Sequence, residues 1–203
     1  MEHDMPDEHN LTAAVAALSA GQPVIFPTDT VYGLGVAVGV AETPEILYDI
    51  KERDHGKPVA WLVANPEALA LYGAAVPEFA CVLARTFWPG PLTLVVKAGA
   101  NVPGPFQSES GTIALRMPDN ELALSLIGRL GVPLATTSAN ISGQKPPRSF
   151  DELDEVLLGR VQVAVRDGSE KSGVASSVVD CTGDHPVMVR EGGVSIADIQ
   201  ALG

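Results

Sequence analysis

The residues of this chain that could do chemistry come in small groups. The first is Thr28, Asp29, Thr30 and Tyr32, three hydroxyls and one carboxylate, preceded by Pro27 and followed by Gly33 and Gly35. Polar side chains at a strand end, with glycines that admit close backbone approach, suit a binding site. The same residues also suit a turn whose hydroxyls are satisfied locally. The second group is Lys51, Arg53 and Lys57 in a helix-end loop. Lysine and arginine suit phosphate oxygens, arginine through its bidentate fork. A solvated helix C-terminus, with Glu52 and Asp54 as partners, would favour cations equally. The third group, Ser138-Ala139-Asn140 with Ser142-Gly143, follows an apolar run and offers hydroxyl and amide groups to phosphate, ribose or carboxylate. Turn chemistry is its plain alternative.

Arg116 closes a predicted strand just before Pro118, where it could clamp a carboxylate or form a surface ion pair. Ser176 and Ser177 open a strand that ends in Asp180, and Arg190 ends the next. Together these groups describe a pocket of cations and hydroxyls with no evident nucleophile and no evident metal cage. That set suits binding and positioning of a polyanion more than covalent catalysis.

The elements that must position these residues can be read from periodicity and punctuation. Leu11 to Ala20 has helical spacing, with Asn10 as its N-cap and Gly21 as its stop. Val24 to Phe26 is a buried strand that Pro27 ends, and Val36 to Val38 is the next. Thr43-Pro44-Glu45 starts a helix that runs into the cationic loop. Further strands are expected over 59–63, 92–96, 112–115, 133–137, 162–165, 177–180 and 187–190. Helices are expected after Asn65-Pro66 and Pro77-Glu78, and over 119–130, 151–158 and 195–202. The elements intermix without a strict βαβ rhythm, so the fold class is α/β, a mixed sheet with helices packed on it. Residues 1–10 are expected to be a mobile acidic terminus and 11–203 one domain.

Composition narrows the function. The chain has 203 residues, 46% hydrophobic and 19% charged, as a globular domain has. A net charge of −12 opposes unaided nucleic-acid binding, yet leaves room for a local basic pocket. Cys81 and Cys181 are widely separated among apolar neighbours, so both are expected to be buried structural thiols. The four histidines have no zinc-like spacing, and Walker, dinucleotide and nucleophile-elbow motifs are absent. Without a signal-like or membrane-length apolar run, the expectation is a soluble cytoplasmic protein.

Six ordered motifs make the chain resemble the YrdC/Sua5 family. They are Phe26 to Gly35, Lys51-x-Arg53 with Lys57-Pro58, Trp88 to Thr93, Arg116-x-Pro118, Ser138-x-Asn140-x-Ser142-Gly143, and Ser176 to Asp180. The resemblance spans about residues 11 to 193 and is to the short type without a further C-terminal domain. It implies a twisted YrdC-like sheet with a large concave, locally positive cavity. It also implies L-threonylcarbamoyladenylate synthase activity: L-threonine, bicarbonate or CO2 and ATP give threonylcarbamoyl-AMP and pyrophosphate. Mg2+ would accompany ATP, and other proteins would carry the product's acyl group to adenosine 37 of tRNA.

By this resemblance Thr30, Tyr32, Arg116 and Ser176 would face threonine or its carbamate. Lys51, Arg53, Lys57, Thr112, Ser138, Asn140 and Arg190 would surround ATP, with Lys51 and Arg53 in the catalytic role. Two departures stand out. Pro58 to Leu62 lacks a histidine that some members carry as a threonine contact, and Arg148 stands where small hydroxyl residues are common. A same-fold paralogue with another product, or an RNA-binding role, is the alternative.

Overall fold

The structure is a computed structural model and describes residues 8–52, 59–169 and 171–202. Nine strands form one sheet: β1 (Val24–Phe26), β2 (Gly33–Ala37), β3 (Ala60–Leu62), β4 (Leu92–Lys97), β5 (Thr112–Arg116), β6 (Leu134–Ser138), β7 (Val163–Ala164), β8 (Ser177–Asp180) and β9 (Val187–Arg190). Their spatial order is β7-β1-β2-β6-β3-β5-β4-β8-β9. β1–β7, β3–β5 and β4–β8 are parallel pairs and the other neighbours are antiparallel, so the mixed α/β class holds.

Alternation of side chains along each strand divides the sheet into two unlike faces. Leu34, Trp61, Leu94, Ile113, Leu115 and Val179 point to one face and form the larger core. Helices α2 (Glu45–Lys51), α3 (Ala68–Tyr72) and α4 (Glu78–Phe87) contribute Leu47, Leu69 and Leu83 to it. On the other face, α1 (Glu8–Ser19) and α5 (Glu121–Leu130) cover one end only. Leu11, Leu18, Leu122 and Leu126 pack there against Val24, Phe26 and Leu134. The rest of that face stays uncovered and becomes the floor of a cavity.

Several boundaries differ from the expectations, each for a local reason. α1 starts at Glu8, so Asn10 is a helical residue and not its cap. β2 starts at Gly33, inside the first motif. A Cβ at Gly35 would lie 2.9 Å from the Thr136 hydroxyl and 3.0 Å from the Ala135 carbonyl, so glycine is required there by β6 rather than by a ligand. α5 starts two residues late because the Asn120 side chain caps it, accepting from Ala123 N at 2.9 Å. Gly131, with φ of 69°, ends it as expected. The expected helix over 151–158 splits into a 3-10 turn at Phe150–Glu152 and α6 (Glu155–Leu158). Asp154 interrupts it by capping Val156 N, 2.8 Å away. The short α7 (Ile196–Gln200) closes the chain with a Ser195/Asp198 capping box. Cys181 is buried as expected, whereas Cys81 is only half-buried.

Candidate functional site

The uncovered face holds a cavity of about 540 Å³. Its floor is laid by the residues that alternate with the core: Gly33 of β2, Ala60 of β3, Thr93 and Val95 of β4, Ala114 and Arg116 of β5, Thr136 and Ser138 of β6. Small and hydroxylated side chains on successive strands leave the space that larger ones would fill.

Arg116, the last residue of β5, is 6% exposed and held at three points. Its Nε donates to the Gly90 carbonyl at 3.0 Å, Nη1 to the Thr30 hydroxyl at 3.0 Å, and Nη2 to the Asp29 carboxylate. Each terminal nitrogen carries two N–H bonds, so one on each remains for a ligand. Burial pushes the Arg116 pKa below its ordinary value, Asp29 opposes that shift, and the charge of Arg190 adds to it. Arg116 is therefore neither a surface ion pair nor a solvated cation.

Thr28 Oγ1 donates to the Val31 carbonyl at 2.7 Å and accepts from the backbone N–H groups of Thr30 and Val31 at 3.2 and 3.3 Å, with the Thr30 hydroxyl 3.1 Å away. The Thr30 hydroxyl accepts from Arg116, which leaves it a lone pair for a ligand. Thr30, 2% exposed, can thus accept from an amine.

Ser176 lies against the same cavity, its hydroxyl 2.9 Å from that of Thr93. Arg190 embraces Ser176: Nε and Nη2 reach its carbonyl at 3.1 and 2.7 Å, and Nη2 reaches its hydroxyl at 3.3 Å. Burial lowers the Arg190 pKa from its ordinary value. Arg190 therefore adds positive charge to the cavity beside the Asp29-paired Arg116, in an otherwise acidic chain.

At the opposite wall, Lys51 is only 2% exposed. Its ammonium donates to the Ser138 carbonyl and reaches Asn140 Oδ1 at 3.3 Å and Ser138 Oγ at 3.5 Å. Ser138 Oγ in turn donates to Asn140 Oδ1 at 2.5 Å, and Asn140 Nδ2 donates to the Ile141 and Gln144 carbonyls at 2.9 Å. A solvated helix end is thereby ruled out for Lys51, which instead braces the loop after β6. Arg53 and Lys57 lie outside the described residues.

One expected site residue, Tyr32, is not brought in. Tyr32 is 1% exposed and points to the larger core, away from the cavity. Its hydroxyl donates to Asp167 Oδ1 at 3.0 Å, beside a separate hollow of about 230 Å³. Burial, then the Asp167 charge, raises its pKa well above the ordinary tyrosine value. Thr112 shares the alternation of Ala114 and Arg116 but sits at the far end of β5, its hydroxyl 2.6 Å from Ser108 Oγ. Arg148 lies on the loop side, its Nε directed at the Lys171 carbonyl at 3.4 Å. Cys181 is no nucleophile, because burial pushes its thiol up to about 12.

Other contributors had no settled role in the sequence. Asp29, named in the first group, anchors Arg116, and Thr93 anchors Ser176. A strap, residues 171–173, binds the first motif through Ser172 N to the Asp29 carbonyl (3.3 Å) and Gly173 N to the Thr30 carbonyl (2.9 Å). Gly173 has a φ of 71°, and a Cβ there would lie 2.5 Å from Arg148 Cδ, so the Arg148 side chain would have to shift. The strap is pinned by Lys171, 4% exposed, which donates to Asp167 and to Ser169 Oγ at 2.7 Å. An i, i+4 acid–base spacing was the only signal for that pair, and burial alone gives it weight.

The family described as Sua5/YciO/YrdC, telomere recombination, matches residues 16–192. The threonylcarbamoyl-AMP synthase of Pyrococcus abyssi is 36% identical over 196 residues, which cover 97% of this chain and 58% of that protein. This chain therefore spans less than two thirds of that relative's length. The crystal structure of P. abyssi Sua5 complexed with L-threonine is 37% identical, with a TM-score of 0.89 over 97% of this chain and 58% of that one. E. coli YciO is 27% identical, with a TM-score of 0.86 over 97% of this chain and 95% of that one.

Proposed function

Because the chain belongs to the Sua5/YciO/YrdC family, we propose that it is an L-threonylcarbamoyladenylate synthase, joining L-threonine, bicarbonate or CO2, and ATP into threonylcarbamoyl-AMP with release of pyrophosphate. The observation that carries this reading is the buried Arg116, with one N–H left on each terminal nitrogen, beside Thr30 and Ser176 in a cavity of about 540 Å³.

The threonine carboxylate takes the two remaining N–H groups of Arg116 as a bidentate pair. Its amine then lies at Thr30, whose hydroxyl keeps a lone pair beside its bond from Arg116. The neutral amine adds to CO2 and loses one proton, which forms the carbamate. A carbamate oxygen attacks the α-phosphorus of ATP, the bond to the β-phosphate oxygen breaks, and pyrophosphate leaves. No protein nucleophile takes part, so the enzyme acts by holding two anions together and by meeting the departing charge with fixed cations. Arg190 supplies one, Arg53 and Lys57 are assigned the same task, and Ser138 and Asn140, braced by Lys51, form the nucleotide wall. Mg2+ would be held by the triphosphate itself. Among the described residues no group of three His, Cys, Asp or Glu is placed to hold a metal.

The remainder of the proposal is a cytoplasmic enzyme whose product passes to tRNA threonylcarbamoyl-transfer proteins. No helix among the described residues is long and apolar enough to cross a membrane. The test is pyrophosphate release by purified protein. Release from ATP that requires both L-threonine and bicarbonate is expected. ATP binding without threonine-dependent release would overturn the assignment and leave a paralogue with another product.

A further inference from the structure

Asp29 has no part in the reaction as described above, and its placement gives it one. Its carboxylate accepts from Arg116 Nη2, with side-chain exposures of 16% for Asp29 and 7% for Arg116. Asp29 does not line the cavity, whereas Thr30 and Arg116 do. It therefore reaches a ligand only through Arg116. The backbone that carries this carboxylate is held, because the strap donates to the Asp29 and Thr30 main-chain carbonyls.

An arginine at the bottom of a cavity that must also admit a triphosphate has two weaknesses. Its fork can rotate, and its unpaired charge attracts any anion. The three acceptors around Arg116 come from two chain segments: Gly90 from one, and the adjacent Asp29 and Thr30 from the other. They fix the plane of the fork. Of the three, only Asp29 also cancels the charge. A neutralised, oriented guanidinium still gives two parallel N–H bonds to a singly charged carboxylate, while the loss of its net charge removes more of its pull on a doubly charged phosphate or sulfate. A buried ion pair of this kind is weak evidence for stability and better suited to specificity.

Building on the function proposed above, we infer that Asp29 is a positioning and selectivity residue. It sets Arg116 for the α-carboxylate of an amino acid and discourages tetrahedral oxyanions, including the phosphates of ATP, from occupying the amino-acid end.

The test uses Asp29→Asn, which keeps an oxygen acceptor for Nη2 and removes the charge, and Asp29→Glu, which keeps the charge and changes the reach. Pyrophosphate release is measured with threonine and ATP varied in turn, with sodium sulfate as the probe anion. In Asp29→Asn the threonine KM is expected to rise by about tenfold, with a smaller change in the ATP KM. Sulfate should become a threonine-competitive inhibitor about tenfold stronger than in the wild type. Asp29→Glu should restore sulfate rejection while the threonine KM stays high. Adding Asp29→Asn to Arg116→Ala should change the threonine KM no further, because Asp29 acts through Arg116. Equal rises in both KM values, unchanged sulfate inhibition, or an additive double variant would each overturn the inference while the synthase assignment stands. A wild-type protein with no threonine-dependent release would overturn both. Far-UV circular dichroism of each variant confirms that the folded protein is being compared.

Discussion

Ala114 and Leu115 are neighbours on one strand and belong to two different molecules in miniature. Leu115 is wholly buried in the larger core, between strands and helices. Ala114 is half-buried and lines the cavity. The same contrast repeats across the sheet, with Trp61 against Ala60, Leu94 against Thr93 and Leu34 against Gly33. One face is held by apolar area; the other is held by directed bonds among Arg116, Asp29, Thr30, Lys51, Ser138 and Asn140. The packed face makes the sheet rigid, and the small residues opposite it leave a hollow whose polar groups cannot drift. Stability and binding are thus assigned to alternate residues of the same strands.

The sharpest way to break this division is a pair of substitutions one residue apart. Leu115→Ala removes core volume and should cost about 2–5 kcal/mol of unfolding free energy, measured by urea denaturation. Ala114→Leu adds volume where there is space, so its unfolding free energy should change by less than about 1 kcal/mol. Its threonine-dependent pyrophosphate release should nevertheless fall by about a hundredfold, because the substrates lose their alignment. Equal stability losses in the two variants would refute the division between faces.

Lys51→Met asks the same question of the polar wall. The substitution keeps the buried stem and removes the ammonium that reaches Ser138 and Asn140. It should cost about 1–3 kcal/mol of stability, since buried acceptors lose their partner. The ATP KM should rise more than the threonine KM, because the braced loop follows β6 and lies away from Arg116. A variant with wild-type kinetics would show that the wall is held by something else.

The residues themselves show how far sequence could go. Pro27 ended β1, Gly131 ended α5, and the Ser138-x-Asn140 spacing marked the loop that Lys51 braces, because each of these signals is local. Tyr32 was misplaced because β2 was expected from Val36. Once β2 is taken from Gly33, Tyr32 alternates with Leu34 and Val36, which face the core. Thr112 had the right alternation, and four strand residues place it about 13 Å from Arg116, at the end of the sheet toward Ser138. For Lys51, a solvated end did not describe its place, since the partners that bury it lie 87 and 89 positions away. Asp29 had no assignment until the fold put Arg116 beside it. Local rules position strands and caps; they do not say which distant polar groups meet.

The Asp167–Lys171 pair is the exception to the contrast between faces, a charged pair set beneath the core-facing Tyr32. Burial pushes the Asp167 pKa up, but hydrogen bonds from Lys171, Ser169 and Tyr32, with the Lys171 charge, hold it below the ordinary value of 3.8. A carboxylate whose folded value is depressed stabilises the fold above its unfolded pKa, and that contribution is lost as pH falls through the folded value. Asp167→Asn should therefore lower stability near pH 7 by about 1 kcal/mol, the smallest of these effects, since the amide keeps part of the hydrogen bonding. Urea denaturation across pH should show a constant gap between wild type and variant above about pH 5, closing below about pH 4. Threonine and ATP KM values should move little, because the pair reaches the cavity only through the strap. A gap that persists unchanged into acid would mean that the pair is not ionised in the folded protein, and the strap would then be held by its main-chain bonds and the Lys171–Ser169 contact.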